Sequence, residues 1–159
     1  MGKKRKVNVI KKQIDKGNNV FTPKFPEKYK GNYPIISRST WELQFMKWCD
    51  NNPLIVEWSS ESVKIPYFDP TQQKRRFYYP DFMIKVIDKK NNIVPYIIEI
   101  KPHKETVPPR KGGRKSRKSI LHEQLTYQTN IAKWRAAQDY ANKAGVIFKI
   151  FTERELFGR

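Results

Sequence analysis

RFYYPDFMIKVIDKKNNIVPYIIEIK, residues 76–101, holds two apolar runs on either side of Lys89, Lys90, Asn91 and Asn92. Val, Ile, Phe and Tyr dominate both runs, and the polar quartet between them is turn chemistry, so the stretch predicts a hairpin. Its first strand runs from Arg76 to Asp88, interrupted or bent at Pro80, which has no N–H for a ladder. The second is Ile93 to Lys101, whose run Tyr96–Ile100 is apolar enough to lie centrally in a sheet. A turn centred near Lys90 pairs residues equidistant from it in number. Asp81 then lies opposite Glu99, with Cβ atoms about 5 Å apart. Strand alternation puts Lys101 on the face of Glu99 and turns Ile98 and Ile100 away. A slip of one residue would send one carboxylate to the other side, so the register matters most.

Upstream, Ser39 and Glu42 form a capping-box pattern ahead of a helix from Thr40 to about Asp50. Trp41, Phe45 and Trp48 at i, i+4 and i+7 make its apolar face, and Asn51, Asn52 and Pro53 end it. Leu54–Trp58 and the alternating Val63, Ile65 and Tyr67 predict two short strands, followed by a turn at Asp69, Pro70 and Thr71. Trp41, Trp48, Trp58 and Trp134 all read as core residues rather than base-stacking platforms. Downstream, 102–118 is a basic loop broken by Pro108, Pro109, Gly112 and Gly113. Its length predicts a functional or disordered segment. A second helix from about Ser119 to Lys143 carries Leu121, Leu125, Ile131, Trp134 and Tyr140 on its apolar stripe and stops at Gly145. Val146–Phe151 is the last strand. Helix, antiparallel strands, helix and strand give an α/β fold with a sheet between helices.

The 159 residues suit one domain, 21–159, behind a basic flexible arm over 1–20. Pro23, Pro26, Gly31 and Pro34 predict an irregular linker between arm and first helix. Lys and Arg number 33 against 15 Asp and Glu, a net charge of +18. Such an excess implies a polyanionic partner, of which nucleic acid is the commonest. No apolar run approaches the ~18 residues of a membrane span, so no membrane partner is expected. No secretory h-region follows the N-terminus. Cys49 is the only cysteine, which excludes an intrachain disulfide and fits a reducing cytoplasm. His103 and His122 lack partners at zinc-ligand spacing.

Two carboxylates facing each other across a hairpin repel, and an apolar sheet desolvates both. A divalent cation removes that conflict, and carboxylate and carbonyl oxygens suit Mg2+, with Mn2+ as a substitute. Asp81, Glu99 and the Ile100 carbonyl are the candidate ligands, with Glu42 available to a second metal or its water. Such an ion polarises a phosphodiester and acidifies water. Lys101 would stabilise the nucleophile or the charge developing on phosphorus. Each element has a plainer reading: an exposed ion pair in an amphipathic strand, a Pro-Asp turn, a capping glutamate. Their conjunction in a strongly basic chain points to a metal-dependent phosphodiesterase acting on DNA.

Pro80-Asp81 with Glu99-Ile100-Lys101, and Glu42 on the preceding helix, resemble the PD-(D/E)XK nuclease superfamily. Ser39-x-x-Glu42 followed by Tyr79-Pro80-Asp81-Phe82 is similar to its TnsA-like branch. The chain as a whole resembles the head-completion nucleases of T4-like bacteriophages. The resemblance implies a restriction-endonuclease-like αβββαβ core, with a central mixed sheet flanked by helices. It implies Mg2+-dependent endonuclease action, trimming DNA at the filled phage head before tail joining. Portal or neck proteins would be partners, without a small-molecule cofactor, in the host cytoplasm or at the head–neck region of the virion. The superfamily's helix after the lysine often brings polar groups to the site, for which Gln124, Asn130 and Lys133 are candidates. Gln124-x-x-Tyr127 resembles a Gln-Tyr motif of exonuclease branches but is one residue short, so no exonuclease is inferred.

Two other functions fit the charge: a non-catalytic DNA-binding plug or head–neck adaptor, and a transposase-type or junction endonuclease. The first predicts intact DNA after incubation with metal. The second needs sequence specificity, yet no separate base-reading module is evident. DNA contacts are expected from Lys3, Lys4, Arg5, Lys6, Lys11 and Lys12 in the arm, and from Arg110, Lys111, Arg114, Lys115, Arg117 and Lys118 in the loop. Such side chains grip phosphate rather than bases. Deleting residues 1–16 should therefore lower the slope of log affinity against log salt, by about 0.9 for each phosphate that the arm neutralises. A titration with an unchanged slope would remove the arm from the interface.

Overall fold

The structure, a computed structural model, describes residues 19–158. The arm lies outside these residues except for Asn19 and Val20, which open a strand rather than extend the arm. That strand, β1 (Asn19–Phe21), pairs antiparallel with β2 (Ile35–Ser37). A 3-10 turn at Pro26–Lys28 lies between them. The expected linker is thus structured, and Lys28 anchors it by donating to the carbonyls of Cys49, Asp50 and Asn52 at 2.7, 2.9 and 2.8 Å.

Helix α1 (Thr40–Asn51) starts where Ser39 Oγ accepts the Glu42 N–H at 3.1 Å. The reciprocal half of the capping box is displaced by one residue. Glu42 Oε2 accepts the Arg38 N–H at 2.8 Å, not that of Ser39. The buried face of α1 is Phe45, Met46 and Cys49, while Trp48 remains 45% exposed and tilts onto Phe45. The expected Trp41–Phe45–Trp48 face is therefore rotated, because the core admits Met46 and Cys49 in place of a bulky indole.

A four-stranded sheet follows. Its strands, in spatial order, are β3 (Ile55–Ser60), β6 (Phe82–Ile87), β7 (Ile93–Ile100) and β8 (Ile147–Phe151). The β3–β6 and β6–β7 pairs are antiparallel, and β8 runs parallel to β7. Two more strands, β4 (Ile65–Asp69) and β5 (Lys74–Tyr78), form a separate hairpin. The long strand expected over Arg76–Asp88 is therefore two strands in two sheets. The break falls at Tyr79–Pro80, where the missing donor interrupts the ladder.

Helix α2 (Arg117–Ala144), capped by Ser116, begins two residues before the expected start and ends at Gly145, whose φ of 70° suits a residue without Cβ. Its buried positions are Asn130, Trp134, Ala137 and Ala141, whereas Leu121, Leu125 and Tyr140 are exposed. The helix packs through small residues, which let it approach closely. A short helix, α3 (Glu153–Phe157), follows β8 and lies beyond what the sequence pattern predicts. It carries a complete capping box between Thr152 and Glu155.

Two apolar clusters result. Phe45, Met46 and Cys49 of α1 pack on Ile55, Trp58, Phe82, Ile84, Ile98 and Ile100 of the sheet. Trp134 and Ala137 of α2 pack on Ile65, Tyr67 and Tyr78 of the hairpin, with Phe148 and Ile150 of β8 beside them. The sheet lies between α1 and α2, and the core order α1-β3-β6-β7-α2-β8 is the αβββαβ arrangement. Among the described residues no helix is long and apolar enough to cross a membrane.

Candidate active site

The β6–β7 register pairs Phe82 with Ile98 and Met83 with Ile97, the symmetry about Lys90 that the turn sequence predicts. Phe82, Ile84, Ile98 and Ile100 face α1. Alternation therefore sends Asp81 and Glu99 to the other side, where burial acts on both and the Glu99 charge acts on Asp81. Asp81 Oδ2 accepts the Ile100 N–H at 2.7 Å, which ties the start of β6 to the end of β7 and fixes the carboxylate. Glu99 is 6% exposed, and its Oε2 accepts the Tyr78 hydroxyl at 2.6 Å. Lys101 Nζ lies 3.7 Å from Glu99 Oε1, with its side chain 27% exposed toward solvent.

The electrostatics follow from that geometry. Burial and the neighbouring Glu99 charge push Asp81 up to about 8, against the pull of the Ile100 N–H and of Lys101. Burial also raises Glu99, opposed by the Tyr78 hydrogen bond and by Lys101 and Lys133. Tyr78 is raised far above its ordinary range by burial and by Glu99, so it stays a protonated donor. Lys133 is lowered, chiefly by burial, and it feels Glu99 and Lys101. Its ammonium lies 5.7 Å from the Tyr78 ring centroid, so α2 places a second cation near the carboxylates.

Glu42 is less engaged. Its charge contributes to raising Asp81, but its carboxylate is turned to the Arg38 N–H. Among the described residues no cluster of three or more His, Cys, Asp or Glu forms a metal site. Of the three polar candidates on α2, only Lys133 meets the acids. Asn130 is buried but lines a cavity of about 620 Å³ with His103, Arg110, Lys115, His122 and Tyr127. Gln124 is half-buried, about one and a half turns earlier on the helix.

In the basic loop, His103–Glu105 form a 3-10 turn and Lys115 is engaged by Glu123 at 2.8 Å. Lys111, Arg114, Arg117 and Lys118 are exposed, as is Arg110. Tyr78 is the site residue that sequence reasoning missed. Its strand belongs to another sheet, and the signal available was its place three residues before Asp81 in an alternating run.

Residues 52–153 match the family model described as TnsA-like endonuclease N terminal. The head completion nuclease of enterobacteria phage T4 is 40% identical over 137 residues, covering 84% of this chain and 89% of that protein. No solved structure gives a significant match. Asp81, Glu99 and Lys101 fall inside the family match, and Glu42 lies ahead of it.

Proposed function

We propose, from the premise that this chain belongs to the TnsA-like endonuclease family, that it is a Mg2+-dependent DNA endonuclease that trims DNA at the filled phage head. The observation that carries the reading is the pair of the partly buried Asp81 and the buried Glu99, both raised by burial, with Lys101 beside them. Two hard oxygen donors and an adjacent carbonyl fit Mg2+ or Mn2+, whose charge would relieve the repulsion between the acids. Asp81, Glu99 and the Ile100 carbonyl would hold the ion, which when bound supplies polarisation of the scissile phosphate and acidification of water.

The remaining roles belong to the chain. The Ile100 N–H holds Asp81 and the Tyr78 hydroxyl holds Glu99, so both carboxylates are oriented before substrate arrives. Lys101, partly open to solvent, is suited to meet the charge that grows on the phosphoryl oxygens. Lys133 keeps positive charge on the α2 side and favours the ionised form of Glu99. Exposed Lys and Arg of the loop, together with the Lys and Arg of the arm sequence, bind backbone phosphate without reading sequence. Such a protein would be supplied with its DNA end by the portal or neck of the head, in the host cytoplasm.

The test is incubation of pure protein with Mg2+ or Mn2+ and linear, branched and single-stranded DNAs. Intact DNA throughout would leave a DNA-binding adaptor on a nuclease fold. Tyr78→Phe is expected to weaken metal affinity by about 10-fold, because outer hydrogen bonds to a ligating group tune its binding. It should also move the acidic limb of the pH–rate profile upward, since Glu99 loses the bond that lowers its pKa. A profile identical to wild type would exclude Tyr78 from the site.

A further inference from the structure

The β4–β5 hairpin has two unlike faces. Ile65, Tyr67 and Tyr78 turn inward and pack on Trp134 and Ala137 of α2. On the outer face Phe68 is 52% exposed and Phe77 is 57% exposed, and Tyr79, just past the strand, is 46% exposed. Leaving three aromatic rings in water on one small hairpin is unfavourable unless something covers them. The register sets Pro66 opposite Phe77 and Phe68 opposite Arg75. Phe68 and Phe77 are therefore diagonal neighbours, about 7–8 Å apart. That spacing is close to two nucleotide steps of ~3.4 Å along one strand.

The charge around the rings has one sign. Lys64 is exposed beside Phe77, and Arg75 is exposed opposite Phe68 on the outer face. The hairpin's one acid, Asp69, is 1% exposed. Burial would raise Asp69, but hydrogen bonds from Thr71 and from Arg76 hold it below the usual range, so it is consumed internally. Lys64 Nζ sits 4.0 Å from the Phe77 ring centroid, which fixes the ring and leaves an ammonium beside it. Aromatic faces interleaved with cations are how proteins bind single-stranded nucleic acid. A double helix hides its base faces, so rings of this kind are useful only on unpaired nucleotides. Tyr78, between Phe77 and Tyr79, reaches the opposite way to Glu99, which ties the outer face to the acid pair through one strand.

We propose that the outer face of the β4–β5 hairpin is a stacking platform for unpaired bases, so the substrate class is duplex DNA with a single-stranded tail or fork. This deepens the endonuclease reading and rests on it for the cutting, but not for the binding. Binding is therefore measured without divalent cation, by fluorescence anisotropy, on a labelled single strand, a blunt duplex and a tailed duplex. Phe68→Ala/Phe77→Ala is expected to bind the single strand and the tailed duplex about 10-fold or more weakly, with the blunt duplex within about twofold of wild type. Phe68→Trp/Phe77→Trp should restore binding, which separates stacking from loss of structure. Equal loss on all three DNAs, or loss on none, would overturn the platform, and the second result would leave the face to a protein partner. Wild-type preference for tails without any cutting in Mg2+ would instead count against the nuclease reading alone.

Discussion

Asp81→Ala should cut DNA at least about 10³-fold more slowly than wild type in Mg2+ while binding it with nearly the same affinity. The first half follows from position. Asp81 sits on the same face of the sheet as Glu99 and is oriented by the Ile100 N–H at 2.7 Å. Removing one of two carboxylates would leave the proposed ion with too few anionic donors. Charge stabilisation of a phosphoryl transition state by a bound cation is worth several kcal/mol, so a decrease of this order is expected. The second half follows from where affinity arises. The 33 Lys and Arg supply the attraction to phosphate, and one partly buried carboxylate opposes it weakly. Gel-based cleavage and anisotropy on the same DNA measure the two halves together. A variant that cuts at the wild-type rate would remove Asp81 from the chemistry. A variant whose binding falls in proportion to its cutting would show disruption of the fold instead.

How much of this was legible depends on whether the deciding interaction was local. The Lys89–Asn92 turn fixes the β6–β7 register by itself, so Asp81 and Glu99 could be paired from sequence. The fate of Pro80 could not be read in the same way. A proline in an apolar run allows a bend or a break, and the choice depends on β4, which recruits residues 74–78 into a second hairpin. Tyr78 was missed for that reason, since its role exists only once β5 leaves the main sheet. Glu42 shows the opposite case. Its capping pattern was visible, but the carboxylate turns to Arg38, and side-chain direction in a helix's first turn is not set by spacing. On α2, size misled: Leu121 and Leu125 stay outside while Ala137 and Ala141 are fully buried, because close packing against a hairpin favours small residues. Short α3 had a legible capping box, but its few residues lie below the length at which periodicity speaks.

The metal-free protein should become less stable as pH rises from about 4 to about 8, and Mg2+ should reverse the change. Asp81 titrates near 3.8 when unfolded and at about 8 when folded. Between those values the folded state holds a proton that the unfolded state has released. Stability therefore falls with rising pH across that window, by about 1.4 kcal/mol per unit for one proton. Glu99, raised in the same direction, adds to the fall. Asp69, Glu153 and Glu155 are lowered instead, so their contributions weaken as pH falls, at and below the acid edge of this window and with the opposite sign. A divalent cation held by the deprotonated pair would compete with the proton. Its gain should be small at about pH 5 and large at about pH 8, reaching about 2.7 kcal/mol when free metal is about 100 times its dissociation constant. Asp81→Asn removes both effects together: its metal-free unfolding midpoint should depend less on pH, and Mg2+ should no longer raise it. Thermal melts of both proteins from about pH 5 to about pH 8, with and without Mg2+, measure each quantity separately. A wild-type midpoint that climbs through this range without metal, or a metal gain equal in both proteins, would mean that the two acids do not share a buried site.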